Sequence, residues 1–314
     1  MHLFSSDIGR LAEIHFISSK MSLVKDIQDQ FRMQDNALVK IILLNVIVYV
    51  LDCLIWVVAK LSAADSLFYT IQSYQGVSSD LMEVVYRPWT IITYAFSHDT
   101  PSPFHIFFNM LGLYWFGGLI REYLGSRRLI SLYIIGALFG VAFYLLCYNF
   151  VPFYMQRPSS ILIGASASVL AAVVGAATLL PNYKFHLVFI GPVKITYIAA
   201  FYVLMSVIGS VQWNAGGNIA HLGGAFSGFL FITLLKRQID IGKPINAVFD
   251  FVRRLFSKKR NVRMSFFNTS TTIDINYTPN QQEIDTILDK ISRSGYESLT
   301  KEEKQKLFKA SQKQ

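Results

Sequence analysis

Charged residues are scarce in this chain. Of its 314 residues only 16% are Asp, Glu, Lys or Arg, 53% are hydrophobic, and the mean hydropathy is +0.39. A soluble globular domain carries about a quarter charged residues, so that class is excluded and a membrane protein is expected. Cysteine is scarcer still: Cys53 and Cys147 both fall in apolar runs, which leaves no disulfide framework and no cysteine metal cluster. Neither a metal nor an organic cofactor is expected. Acidic residues number 20 against 29 basic ones, a net charge of +9. That excess is not spread as a nucleic-acid surface requires. Much of it gathers in Arg253, Arg254, Lys258, Lys259 and Arg260, just past the last apolar run, which fits anionic lipid headgroups and argues against a nucleic-acid partner. A cleavable signal is also missing: the first apolar run begins near Leu38, exceeds an h-region and follows a long polar stretch. It reads as a retained span. Translation from Met21 instead of Met1 is a second expectation.

What is present is a series of long apolar runs, at 38–60, 104–121, 129–150, 161–180, 193–211 and 218–236. Each approaches the roughly 20 residues that a membrane helix needs. The expected fold is therefore an all-α membrane protein, a bundle of six transmembrane helices with both termini on one side. Lys25, Arg32 and Lys40, then Arg121, Arg127 and Arg128, then Lys184 and Lys194 load one set of flanks, so both termini are expected to be cytoplasmic, in a cell (inner) membrane. The long semi-apolar loop 61–103 is expected in the interface, anchored by Trp89, Tyr94 and Phe96. Four segments follow: an N-terminal cytoplasmic segment 1–37, the bundle 38–237, a basic juxtamembrane region and linker 238–279, and a small helical C-terminal hairpin 280–314. Ile284, Ile287, Leu288 and Ile291 stand at helical spacing there, and Thr300 with Glu303 forms a capping box. That hairpin is either a solvated appendage or a site for a cytoplasmic partner.

Four polar residues share one depth. Ser166 precedes Pro181 by 15 positions (181 − 166) and His221 precedes Lys236 by 15 (236 − 221), while His105 and Asn109 precede Arg121 by 16 and 12. At about 1.5 Å rise per residue all lie about 18–24 Å from the same membrane edge. Ionisable groups at such depth are costly and are functional by default. A serine hydroxyl becomes a nucleophile when a base takes its proton, so Ser166 and His221 form a candidate catalytic dyad, with no third acid evident. His105 and Asn109, at i and i+4, project from one face towards a developing oxyanion, together with the Ser166 backbone N–H if the fourth helix begins near Gly164. Each residue has a plainer role by itself: Ser166 packs helices, Asn109 bridges them, and Gly224 with Gly228 is a G-x-x-x-G packing motif. The coincidence in one layer favours chemistry, and close packing at Gly224 and Gly228 would bring His221 towards Ser166. Asp52 is expected to be a buried structural acid, and His98 to organise the first loop.

HIFFN at 105–109, GASA at 164–167 and AHLGGAFSG at 220–228, in that order, resemble the rhomboid family of intramembrane serine proteases over roughly 85–237. YRPWT at 86–90 and REYLGSRR at 121–128 also resemble family motifs. The resemblance implies a six-helix rhomboid protease domain at 38–237 with Ser166 as nucleophile and His221 as base. It further implies an oxyanion site of His105, Asn109 and the Ser166 amide, single-pass or otherwise membrane-anchored protein substrates, and a mobile cap near Trp213, Gly216 and Gly217. Ala167 stands where the family usually has glycine, and Leu170 where many members carry a tyrosine stacked on the base. The alternative function is a non-catalytic rhomboid-like protein that binds transmembrane segments. A transporter would show intramembrane charge pairs or interrupted repeats, which are not evident.

Overall fold

The structure, a computed structural model, describes residues 36–187, 191–212, 214–256, 280–294, 298–300, 302–303, 306–307 and 310. The N-terminal segment with its alternative start, Trp213 and the linker 266–279 lie outside the described residues. Residues 1–257 form one compact unit and 258–314 another.

Among the described residues, four helices are long and apolar enough to cross a bilayer: α1 (Ala37–Leu61), a composite α4 (Pro103–Leu124), α5 (Ser126–Phe150) and α8 (Ala215–Lys236). Between the first two, the long loop folds into α2 (Asp65–Gln75), strand β1 (Val77–Ser78) and α3 (Leu81–Tyr86). Two further apolar helices, α6 (Ser166–Leu179) and α7 (Ile195–Gly209), have 14 and 15 residues. At 1.5 Å per residue they span about 21 and 22 Å, short of a core of about 30 Å. The expected span 161–180 is thus a helix only from Ser166 onward. Its first part is extended: β2 (Ile161–Leu162) pairs antiparallel with β1, Val77 opposite Leu162. Non-helical backbone survives at membrane depth only where protein satisfies it. Here Gly164 N–H donates to the Tyr94 carbonyl at 2.9 Å, and the Tyr144 hydroxyl donates to the Ser160 carbonyl at 2.7 Å. Before α7, a hairpin of β3 (Lys184–Leu187) and β4 (Gly191–Lys194) turns the chain.

The core is a sandwich of α5, α6 and α8, held close by glycine. A Cβ on Gly224 would collide with the Ala167 carbonyl, one on Gly228 with the Ala171 carbonyl, and one on Gly223 with the Phe139 carbonyl. G-x-x-x-G therefore lays α8 directly on the backbone of α6, the contact through which small residues gain dispersion energy in lipid. At the far end Lys236 Nζ donates to the Thr178 carbonyl at 2.7 Å, capping α6 with a cation where its dipole favours one. Around this core α1 is peripheral: Leu43, Leu44, Ile47, Leu51 and Leu54 are exposed, whereas Leu38, Asn45 and Asp52 are buried. Asn45 donates to the Tyr133 hydroxyl at 3.2 Å, and Tyr133 to the Ala95 carbonyl at 2.6 Å, tying α1 and α5 to the segment that enters α4. Asp52 accepts from Gln75 Nε2 at 2.8 Å, joining α1 to the first loop.

The region 238–256, read as the start of a basic juxtamembrane region and linker, is helical over most of its length. It forms α9 (Lys243–Phe256), because Ile245, Val248, Val252 and Leu255 recur at helical spacing. In the second unit α10 (Gln281–Ser294) is followed by reciprocal capping: Thr300 N–H donates to Glu303 Oε2 at 2.7 Å and Glu303 N–H to Thr300 Oγ1 at 3.3 Å. Most of the chain beyond Thr300 lies outside the described residues.

Candidate functional site

Ser166 is the first residue of α6, so its amide belongs to the turn that no helix carbonyl satisfies, at the positive end of the dipole. The preceding Gly164 has φ +125°, a conformation L side chains rarely adopt, and a Cβ there would stand 3.0 Å from His105 Nε2 and 3.6 Å from Ser166 Oγ. That position is closed to any larger residue twice over, by backbone and by space. His105, on the first turn of α4, accepts at Nδ1 from the Asp99 N–H at 3.2 Å. With Nδ1 an acceptor, the neutral ring carries its proton on Nε2, the atom beside Gly164 and towards Ser166. Asn109, one turn later and buried, donates one amide hydrogen to the His105 carbonyl at 2.7 Å and keeps the second. Beside His105, buried His98 packs edge-on at 5.3 Å, with Nδ1 3.2 Å from the Phe96 carbonyl.

His221 comes from α8, one turn before the Gly224 contact with Ala167, the residue that follows Ser166. Its Nδ1 lies 3.3 Å from Ser206 Oγ on α7. Ser206 donates its one hydroxyl proton to the Tyr202 carbonyl at 2.9 Å, so it accepts from Nδ1–H and leaves His221 Nε2 with a free lone pair. A base poised to take a proton has this tautomer. Ser166, His221, His105 and Asn109 all line one cavity of 630 Å³, together with Leu170 and Tyr202. Among the described residues no hydrogen bond joins Ser166 to His221; such contacts are often loose without substrate.

The two departures from the motif pattern have local counterparts. Ala167 is 2% exposed and fits because the residue facing it on α5 is Gly140, where a Cβ would stand 2.7 Å from that of Ala167. Leu170, 4% exposed, gives the cavity an apolar wall. In the first loop Arg87 Nη1 donates to the Ser73 carbonyl at 3.2 Å and its guanidinium lies 4.4 Å from the Tyr74 ring centre, bracing α2 against α3. Ser206 escaped the sequence reading. Its only signal was a polar residue in an apolar run, and its partner stands 15 positions away on another helix.

Fold and cavity define a polytopic helical membrane protein with one cavity that gathers Ser166, His105, Asn109 and His221. The chain carries a rhomboid domain, matched over residues 86–238, and is a member of the rhomboid family. A second family model, of unknown function (DUF6576), matches residues 272–313. The chain is similar to RHOMBOID-like protein 12, mitochondrial, of Arabidopsis thaliana, 34% identical over 149 residues, 44% of either chain. It is also similar to Rhomboid protein 1, mitochondrial, of Saccharomyces cerevisiae, 31% identical over 160 residues, 48% of this chain and 43% of that one. Rhomboid-like protein 16, chloroplastic, of Arabidopsis thaliana is 46% identical over 59 residues, 19% of this chain and 18% of that one. The chain spans less than half the length of these relatives. They correct the expected location: two are proteins of mitochondria and one of chloroplasts, which overturns the assignment to a cell (inner) membrane with cytoplasmic termini.

Proposed function

We propose that the chain is a serine endopeptidase of a mitochondrial membrane that hydrolyses peptide bonds in or near transmembrane segments of membrane-anchored proteins. The observation that carries this reading is the meeting of Ser166, His221 and His105 in one cavity at the start of α6. Ser166 Oγ attacks the carbonyl carbon while His221 Nε2 takes its proton. Negative charge develops on the carbonyl oxygen, and the His105 Nε2–H, the second Asn109 amide hydrogen and the Ser166 amide receive it. His221 then hands its proton to the leaving amine, and water repeats the sequence on the acyl-enzyme. Ser206 acts as a positioning residue, holding the ring in the required tautomer in place of a carboxylate. Family members act on membrane-anchored substrates, and an intact helix hides its peptide bonds, so the substrate must unwind locally to reach Ser166.

The test is cleavage of a single-pass substrate by protein reconstituted in liposomes, comparing wild type with Ser166→Ala and His221→Ala. Cutting by wild type alone, with all three folded, is expected. Equal cutting by Ser166→Ala would end the proposal, and an inert wild type that still captured transmembrane segments would favour the binding protein instead.

A further inference from the structure

Helix α9 has one apolar and one polar side. Val248, Phe249, Phe251, Val252 and Leu255 are exposed, while Asn246, Asp250 and Arg254 share the opposite side by helical spacing. The polar side is the one the bundle holds. Arg127 Nη2 lies 3.3 Å from Asp250 Oδ1, Arg128 Nε lies 3.5 Å from Asp240 Oδ2, and Ser131 Oγ donates to the Gly242 carbonyl at 3.3 Å. Gly242 is seated so closely that a Cβ would stand 2.7 Å from Ser131 Cβ. Ile245, at the start of the helix, packs against the core, and beyond it the apolar side points away from the bundle.

These anchors also set depth. Arg127 and Ser131 lie in the first two turns of α5, a 25-residue apolar span, so α9 is held at the membrane edge, on the face opposite the cavity. Gly242 and Asp250 are eight residues apart, about 12 Å of helix, whereas Ser131 and Arg127 differ by about 6 Å along α5. Both contacts fall within the first two turns of α5, so both ends of the stretch from Gly242 to Asp250 stay near that end of the span.

We infer that α9 is an interfacial anchor whose apolar side occupies the boundary between headgroups and acyl chains. Arg253 and Arg254, in the last turn of α9, recognise anionic phospholipid headgroups. An amphipathic helix with a basic polar face, tied at the end of a span, has the chemistry for that zone and for no aqueous one.

The test uses full-length protein with Cys53→Ser and Cys147→Ser, carrying an environment-sensitive fluorophore on Val252→Cys or Asn246→Cys. It is reconstituted into phosphatidylcholine vesicles with or without phosphatidylglycerol. Spin-labelled lipid is expected to quench the label at 252 at least about twofold more than at 246. Replacing Arg253 and Arg254 with serine should reduce that quenching in anionic vesicles alone. A water-exposed label at 252, or equal quenching at both positions, overturns the inference. Shielding at 252 that rises with protein-to-lipid ratio assigns the face to a second copy and overturns it too.

Discussion

Ser206 Oγ on α7 stands 3.3 Å from Nδ1 of His221 on α8, with its own proton committed to the Tyr202 carbonyl. Two helices thus share the orientation of one imidazole. Ser206→Ala removes the acceptor and frees the ring to rotate or change tautomer, at a cost typical of a single hydrogen bond, about 1–1.5 kcal/mol, or roughly tenfold in rate. With liposome-embedded protein, the proposed cleavage should lose kcat with KM nearly unchanged, and Ser206→Thr should restore it. A drop that threonine does not rescue would mark Ser206 as packing only.

Gly224 and Gly228 set the distance between the helices that carry His221 and Ser166. Gly224→Val places branched carbons against the Ala167 carbonyl, and α8 must move away from α6. Overpacking of this kind costs about 1–3 kcal/mol. Proteolysis should be lost at Gly224→Val more completely than at Gly228→Val, one turn further from the site, although both lower the melting temperature in detergent. Equal residual activity would show that the site tolerates helix separation.

His98, in the loop before α4, is fully buried, and burial with His105 nearby holds its pKa down from 6.5 to about 4. The folded protein keeps this ring neutral while the unfolded chain protonates it. Its stabilisation is therefore complete above pH 6.5 and is lost as pH falls towards 4, on the order of 3 kcal/mol in total. Melting temperature should drop between pH 7 and pH 4.5 by less in His98→Gln than in wild type. Parallel curves would place the acid sensitivity elsewhere.

Glu303 in the second unit accepts from the Thr300 N–H and from Lys290 Nζ at 2.9 Å, and its carboxyl is held below the usual range, first by that backbone bond and then by the lysine. A lowered carboxylate contributes stability above its unfolded value that fades as pH falls through the folded one. Glu303→Ala should speed amide exchange across 281–294 at pH 7, and the difference from wild type should vanish in acid. A difference that persists there would contradict the capping role.

Much of the site was legible because a membrane slab converts spacing into depth. Ser166, His221, His105 and Asn109 could be put in one layer by counting residues to each span's end, and the G-x-x-x-G of α8 already indicated close helix contact. The first five residues of the expected fourth span were misread, since ILIGA is as apolar as any helix interior; only pairing with Val77 and Ser78, 85 residues earlier for Val77 and Leu162 (162 − 77), makes the start of it extended. α9 was overlooked because it follows the last apolar span and ends in a basic run, although its apolar residues carry the helical period.

The linear chain by itself determined which runs are apolar enough for lipid, that Ser166, His221, His105 and Asn109 stand at similar counts from their runs' ends, and which small residues let helices touch, because each follows from local composition and a constant rise per residue. Tertiary structure alone decided that α6 begins at Ser166, that Ser206 on a neighbouring helix holds His221, and that Gly140 faces Ala167. Those are contacts through space between separate segments, and their geometry depends on how whole helices pack, which no local periodicity encodes.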